Sequence, residues 1–316
     1  MHGLKTIMKK ELADHLSSYR FLILFALIAM VSLVTAYMAG VNLSKELEGI
    51  AKPRHVFLML FTSAGIRISL TQFVALFGPL VGLVLGFDSI NRERNEGTLV
   101  QLLSQPIYRD AVINGKFLAG VAVIAVMMVS IVLMITGLGL LIVGVVPGLE
   151  ELGRVALYLV ISIIYVAFWL GVAMLFSILF RSMATSALAA LAVWLFFSFF
   201  VPLGASAVAN VLAPSTAEAA ALVRRAQLER ALSLISPMEL YSHGTVAVID
   251  PLRRTTRSLV QVGVLEQLSL TRFSGPLPLD QSLLVVLPYI ITLVALTCVC
   301  FGVSYTAFMR QEIRSL

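Results

Sequence analysis

The sequence predicts an all-α polytopic membrane protein with six transmembrane helices, and three observations lead to this fold class. Hydrophobic residues make up 59% of the 316 residues and charged residues 13%, whereas a soluble domain is about 45–50% apolar and about 25% charged. Six long stretches contain no Asp, Glu, Lys or Arg. No segment shows the alternating polarity of an outer-membrane barrel. A soluble globular enzyme, a disordered chain and a nucleic-acid-binding domain are therefore excluded.

Each charge-free stretch is long enough to cross a bilayer as a helix. A hydrocarbon core about 30 Å thick needs about 20 helical residues, and a helix satisfies its backbone N–H and C=O groups internally. The expected spans are 21–40, 69–88, 117–146, 155–180, 184–204 and 283–308.

The positive charges indicate the orientation. With both termini inside, the cytoplasmic segments carry eleven Lys and Arg residues and the short external loops carry five, which favours cytoplasmic termini. The expected location is the plasma (inner) membrane. The expected organisation is an amphipathic interfacial helix at 1–20, spans one to five at 21–204, an extracytoplasmic loop with an amphipathic helix at 205–282, and span six with a cytoplasmic tail at 283–316.

Residues 1–20 are expected to lie on the membrane surface. Apolar residues recur every three or four positions on one face, while Lys5, Lys9, Lys10 and Asp14 occupy the rest. A basic amphipathic helix suits an anionic leaflet. The alternative is a topology signal without a further role.

The segment 88–116 between spans two and three contains a predicted two-turn helix. Gly97 precedes Thr98, a favourable N-cap residue, and the following leucines Leu99, Leu102 and Leu103 share one face before Pro106 ends the helix. Such a helix is too short to be stable alone. The membrane surface, a partner protein or its own bundle must therefore hold it.

Span two carries a stripe of small residues. Gly78, Gly82 and Gly86 are four residues apart, so they share one face on which another helix can approach closely. Pro79 should bend the same span. We expect a helix-packing face; the alternative is a face that slides or hinges during transport.

The loop between spans five and six should contain a further helix. Ser215 and Glu218 form a capping-box pattern, and a helix should follow to about Ile235, with Pro237 closing it. A basic cluster follows at Arg253, Arg254 and Arg257. It is interpreted as a solvated surface, or alternatively as a contact for lipid headgroups or an anionic substrate.

Several classes of mechanism lack their required residues in the sequence. No Asp, Glu, Lys or Arg lies in a span core, which argues against coupling to an ion gradient. There is no phosphate loop and no hydrolase motif, so we expect no catalytic residue, no metal site and no cofactor bound by this chain. Cys298 and Cys300 are interpreted as small core residues. Energy for uphill transport should therefore come from a partner.

The segment 88–116 resembles the coupling helix of type-2 ABC exporter permeases, in the branch similar to the permease of nitrous oxide reductase maturation. The matching string ERNEGTLVQLLSQPIYRDAVINGK includes Glu96, Gly97, Thr98, Leu99, Leu102, Leu103, Pro106, Arg109, Gly115 and Lys116. The sequence Lys10-Glu11-Leu12 is similar to the family's interfacial helix, and Ser236-Pro237 with Tyr241 to a feature before its last span.

The resemblance implies a permease subunit without ATPase activity. A separate cytoplasmic ATPase dimer would bind ATP and Mg²⁺. It would contact the coupling helix through the buried anchors Leu99, Leu102 and Leu103, with Glu96 and Arg109 at the rim of that interface. A second permease copy or paralogue would complete the pathway, and no nucleic acid is involved. Two alternatives are a membrane docking or assembly scaffold and a stand-alone channel or carrier.

Overall fold

The computed structural model describes residues 2–46, 55–62, 69–99, 104, 107–212, 219–250 and 278–311. Within these ranges the protein is helical without a β-strand. The helices are α1 (His2–Leu16), α2 (Tyr19–Glu46), α3 (Leu70–Gly86), α4 (Asn91–Asn95), α5 (Arg109–Val143), α6 (Leu149–Leu179), α7 (Met183–Leu195), α8 (Val201–Leu212), α9 (Ala219–Ser233), α10 (Pro237–Ile249) and α11 (Leu279–Arg310).

Six helical stretches in the described ranges are long and apolar enough to cross a membrane. They are Tyr19–Lys45, Leu70–Asn95, Arg109–Val143, Leu149–Leu179, Met183–Leu212 and Leu279–Arg310. The prediction of an all-α membrane protein with six spans is therefore confirmed. The fifth span is continuous from α7 to α8 through a π-helical turn at Phe196–Phe200, and it runs beyond the expected end at residue 204.

Local signals explain where two of these helices begin. Ser69 accepts a hydrogen bond from the Gln72 backbone, and the Gln72 side chain accepts one from the Ser69 backbone, so a complete capping box starts α3. The carboxylate of Glu151 accepts a hydrogen bond from the Gly148 backbone at the start of α6. Between α5 and α6, Gly144 adopts φ +62°, a left-handed conformation that favours glycine at a helix end.

Helix α6 lies at the centre of the bundle. In its most apolar window 67% of the residues are buried, and it packs most extensively against α3 and α11. The corresponding windows of the fifth and sixth spans are only 17% and 11% buried. These two spans therefore turn most of their apolar surface away from the rest of the chain, as residues facing lipid or another subunit do.

The segment between the fifth and sixth spans differs from the expected loop. The expected helix is present as α9, but it ends at Ser233, and Pro237 begins α10 instead of closing α9. The reason is that Pro suits the first turn of a helix, where its missing N–H is not needed. Helix α10 packs on α11 and α6, and its Tyr241 is fully buried.

Some sequence-based expectations lie outside the described residues or differ from the structure. The proposed capping box at Ser215 and Glu218 and the basic cluster at Arg253, Arg254 and Arg257 fall outside the described ranges. Cys298 is exposed and Cys300 is half-buried on α11. The interpretation of Cys298 as a core residue is therefore wrong, because the sixth span exposes most of its surface.

Candidate functional site

One end of the bundle brings together α1, α4, the start of α5 and the last described residue of the chain. We call it the termini end, and the other end of the spans the opposite end. At its centre the ammonium of Lys116 lies 2.9 Å from a carboxylate oxygen of Glu11 and 2.9 Å from one of Glu93. Lys116 thereby joins α1, α4 and α5 through one buried cation.

The charges of this cluster support one another. Burial is the largest single influence and opposes ionisation of Glu11, but the ammonium groups of Lys116 and Lys10 together outweigh it, so the pKa of Glu11 is below its ordinary value. Lys10, 3.2 Å from Glu11, also partly neutralises Glu93 at 3.7 Å. The cluster therefore pairs two carboxylates with two ammonium groups, which fixes α1 on the bundle. Ile7 of the same helix is buried against Gly115.

The C-terminal end of α11 is tied to the same region. Gln311 accepts a hydrogen bond from Arg94 and donates one of 2.6 Å to the Ile178 carbonyl on α6. The guanidinium of Arg109 donates to the Gln311 backbone carbonyl over 3.3 Å. The elements from the beginning, middle and end of the sequence thus form one continuous surface.

Two serine hydroxyls hold the connection between α3 and α4 against the bundle. Ser177 on α6 accepts hydrogen bonds of 2.9 and 3.1 Å from the backbone N–H groups of Ile90 and Asn91. Ser186 on α7 donates a hydrogen bond of 2.8 Å to the Phe87 carbonyl. Because these bonds hold backbone atoms, α4 cannot move without displacing α6 and α7 or breaking the bonds.

The residues predicted to contact a partner divide into three groups. Glu96, Gly97, Thr98 and Arg109 are exposed at the termini end. Leu99 is buried, with 1% of its surface exposed, so it packs on its own chain and offers no surface anchor in this conformation. Leu102, Leu103 and Pro106 lie outside the described residues.

The backbone at Gly97 and Thr98 differs from a simple N-cap. Gly97 has φ +73°, which favours glycine, and it follows directly on the turn that ends α4. The Thr98 hydroxyl donates to the Glu93 carbonyl over 3.3 Å, so it satisfies a carbonyl of the preceding helix. Glu96 is paired with Arg92 over 2.9 Å on the exposed surface.

The glycine stripe of α3 lies directly on α6. A methyl group at Gly82 would be 2.6 Å from the Val166 carbonyl oxygen and 2.7 Å from the Leu170 nitrogen. At Gly86 it would be 2.7 Å from the Ala173 side chain and 2.8 Å from the Leu170 carbonyl oxygen. Only residues without a side chain allow this separation, so α3 and α6 touch through their backbones.

Sequence reasoning missed a buried arginine at the opposite end. Arg154 on α6 is completely buried and donates to the Val248 carbonyl (3.0 Å), the Ser282 hydroxyl (3.3 Å) and the Glu150 carboxylate (3.0 Å). It thereby fastens α10 and α11 to α6. Val248 and Ser282 are 94 and 128 positions away in the sequence, so only the pairing with Glu150, four positions earlier, could be predicted from the sequence.

Helix α10 carries a second group of buried polar side chains. The Tyr241 hydroxyl lies 2.9 Å from that of Ser162, and His243 stacks on Tyr289 of α11. Burial, and then the nearby Glu229, raises the pKa of Glu239 to about 7. Burial, followed by Arg230, lowers the pKa of His243 to about 4. These groups show polar packing, and among the described residues no cluster of three His, Cys, Asp or Glu could hold a metal.

Comparison with known proteins agrees with this architecture. The family model described as ABC-2 family transporter protein matches residues 5–313. The probable ABC transporter permease protein NosY of Pseudomonas aeruginosa is 28% identical over 196 residues, which cover 61% of this chain and 66% of that protein. The protein of the same description in Stutzerimonas stutzeri is 31% identical over 118 residues, which cover 37% of this chain and 38% of that protein.

The matched regions span just under two thirds of the first relative and a smaller part of the second. The family match, in contrast, covers nearly the whole chain, and the resemblance to type-2 ABC permeases is confirmed. With six membrane spans and a family match of this extent, the chain belongs to the ABC-2 transporter family and is a membrane permease subunit of an ABC transporter.

Proposed function

We propose that this permease is driven by a separate cytoplasmic ATPase dimer that binds the termini end, and that it works as an exporter in the plasma membrane together with a second permease copy or paralogue. The observation that supports this most is the convergence of α1, α4, α5 and Gln311 on one polar surface. In this proposal both termini are cytoplasmic, and ATP and Mg²⁺ are bound by the partner alone.

The exposed part of this surface is suited to a protein partner. Glu96, Thr98 and Arg109 are exposed, and Tyr108 next to Arg109 exposes 84% of its surface. An exposed tyrosine beside an arginine is the composition that is enriched at protein interfaces. With Leu99 turned inward, we assign the contact to these exposed residues.

The backbone contacts below this surface support transmission of movement. A push on α4 reaches α6 through the hydroxyl of Ser177, and α6 packs on α3 at Gly82 and on α11. Closure of an ATPase dimer would therefore move the spans as packed units, in the manner of rigid-body switching. The segment between the fifth and sixth spans, which contains α9 and α10, would lie on the far side of the membrane.

The test is affinity isolation of the full chain from its native membrane, with identification of soluble proteins that copurify. We expect a phosphate-loop ATPase in about equal amount. Arg109→Glu should reduce its recovery by at least about tenfold, because charge reversal at an interface typically costs more than 1.4 kcal/mol. Arg224→Glu is the matched control, since Arg224 is an exposed arginine on α9 in the segment between the last two spans.

Two results would contradict the proposal. One is the absence of any ATPase from the wild-type isolate, which would favour a stand-alone channel or carrier. The other is equal recovery of the ATPase with Arg109→Glu and with wild type. An ATPase that copurifies with wild type but gives no ATP-dependent flux in reconstituted vesicles would instead support a docking or assembly scaffold.

A further inference from the structure

The segment that leads from α3 into α4 buries several polar atoms without a partner. Both polar atoms of the Asn91 side chain, the hydroxyl of Ser89 and the Oε2 atom of Glu93 are closed off from water and make no hydrogen bond with the described residues. All of them belong to residues 89–93, which we call the α4 link. No other segment of this length in the described ranges contains as many such atoms.

Asn91 is the least favourably placed of these side chains. The residue is completely buried, and neither the amide nitrogen nor the amide oxygen of its side chain is paired. Its backbone, in contrast, is bound, because the N–H group donates to the Ser177 hydroxyl over 3.1 Å. The backbone contact with α6 therefore holds the amide in a place where nothing pairs with it.

Other buried polar side chains at the termini end do have partners. The hydroxyls of Ser177 and Ser186 bond to backbone atoms, and the Lys116 ammonium contacts two carboxylates. The side chain of Gln311 accepts one hydrogen bond and donates another. Unpaired atoms are therefore a property of the α4 link and not of this end of the bundle as a whole.

Separation of the α4 link from α6 costs less free energy than its contacts suggest. The hydrogen bonds of Ile90 and Asn91 to Ser177 add little net stability, because water replaces them when they open. An unpaired buried polar atom, in contrast, keeps its full desolvation cost until water reaches it. The contacts that oppose separation are the completely buried side chain of Ile90 and the pairing of Glu93 with Lys116 over 2.9 Å.

The far end of α4 leaves room for such a movement. The helix has only five residues, and a helix of this length is not stable without support. Gly97 follows directly on its C-cap residue Glu96 and has φ +73°. No atom lies within 4 Å of the position that a Cβ of Gly97 would take. Gly97 is therefore an unobstructed pivot.

We propose that α4 is a conformational switch with an engaged and a released position. In the engaged position, which the structure shows, the Ser177 hydroxyl holds Ile90 and Asn91 against α6. In the released position these bonds are open, and the polar side chains of the α4 link reach water. A partner that presses α4 onto α6 keeps it engaged, so displacement is transmitted only while the partner is bound. The role of the partner rests on the proposed function, whereas the two positions belong to this chain alone.

The test is hydrogen–deuterium exchange of the full chain in lipid nanodiscs without an ATPase, resolved to the amides of Ile90 and Asn91. These amides exchange when their bonds to Ser177 open. Asn91→Leu keeps the branching of the side chain but removes its polar atoms, so it favours the engaged position. After correction for intrinsic exchange rates, we expect the Ile90 amide to exchange at least about fivefold more slowly than in wild type.

Two further variants and a matched control separate this effect from packing. Ser89→Ala removes an unpaired hydroxyl without adding volume and should also slow exchange, by about fivefold. Ile90→Ala removes the apolar contact and should accelerate exchange of the Asn91 amide. Asn95→Leu makes the same substitution at an exposed position of the same helix. It should change the rate by no more than about twofold, the effect of helix propensity alone.

The proposal is overturned if neither Asn91→Leu nor Ser89→Ala exchanges more slowly than Asn95→Leu. It is also overturned if the Ile90 amide of wild type exchanges as slowly as the buried amides of α6, because α4 would then open only with the whole bundle. Slower exchange in Ser89→Ala alone supports it, since leucine is larger than asparagine and can strain the Asn91 site. No ATPase is present in this measurement, so its failure leaves the proposed coupling to a motor untouched.

Discussion

The contact between α3 and α6 predicts that a single methyl group at Gly82 destabilises the bundle. In Gly82→Ala the new methyl group would lie 2.6 Å from the Val166 carbonyl oxygen, whereas ordinary contact begins at 3.4 Å. The two backbones must therefore separate by about 0.8 Å. The two nearest atoms, the Val166 carbonyl oxygen and the Leu170 nitrogen, both belong to the backbone and cannot turn away as a side chain could. The strain therefore falls on the whole helix pair.

The expected cost follows from overpacking. Inserting a methyl group into a well-packed interior typically costs 1–3 kcal/mol, while replacing glycine by alanine in a helix returns up to about 1 kcal/mol. We expect a net loss of about 1–2 kcal/mol in the free energy of unfolding. Gly78→Ala should cost less, because its nearest neighbour is a side-chain methyl group of Val166 at 3.1 Å.

The assay is reversible unfolding of the purified chain in mixed micelles, with helicity followed by circular dichroism. Gly137→Ala on α5 is the matched control, because a methyl group there has no neighbour within 4 Å. It should be neutral or slightly stabilising. If Gly82→Ala is as stable as Gly137→Ala, the close backbone contact between α3 and α6 is wrong.

Two further predictions concern charges. Lys116→Met should cost up to about 3–5 kcal/mol, because only the half-exposed Lys10 then remains beside the carboxylates of Glu11 and Glu93. The same unfolding assay should show recovery when both carboxylates are also replaced by Gln, and a loss of under about 1 kcal/mol would contradict the ion cluster. Glu239, whose pKa is about 7 instead of 4.5, binds its proton more tightly when folded, so the stability it contributes is lost as pH rises from 4.5 to 7. Glu239→Gln should match wild type at pH 4.5 and be more stable by about 3 kcal/mol at pH 8, and parallel stability curves would refute this assignment.

The sequence predicts the spans well because the bilayer imposes a simple rule. A charge-free stretch of about 20 residues has few alternatives to a membrane helix, and the six expected spans agree with the six found. The spacing of Gly78, Gly82 and Gly86 likewise indicated a face for close approach. The spacing could not indicate which helix packs against this face, because no local sequence pattern marks Val166 and Leu170 of α6 as the contacting residues.

The polar contacts at the two ends could not be predicted for a related reason. Lys116 was visible only as the end of a motif, and its partner Glu11 lies 105 positions earlier. The sequence pattern places Arg154 among the five charges of the short external loops, although its side chain is completely buried. The start of α10 could have been predicted, because Ser236 followed by Pro237 is a typical helix start. The expectation of a single external loop between the last two spans did not include this helix.

The arrangement of these contacts indicates why a partner at the termini end could act at the opposite end. Ser177 near the end of α6 holds backbone atoms of α4, and Arg154 near its beginning holds α10 and α11. Between them, α3 packs directly on the backbone of α6 at Gly82. A displacement of α4 is therefore not absorbed locally: either the Ser177 bonds break, or α6 moves with α4 and takes α10 with it. In the proposed transporter, joint movement of α4 and α6 would couple the ATPase to the external face, with α6 as the rigid element between them.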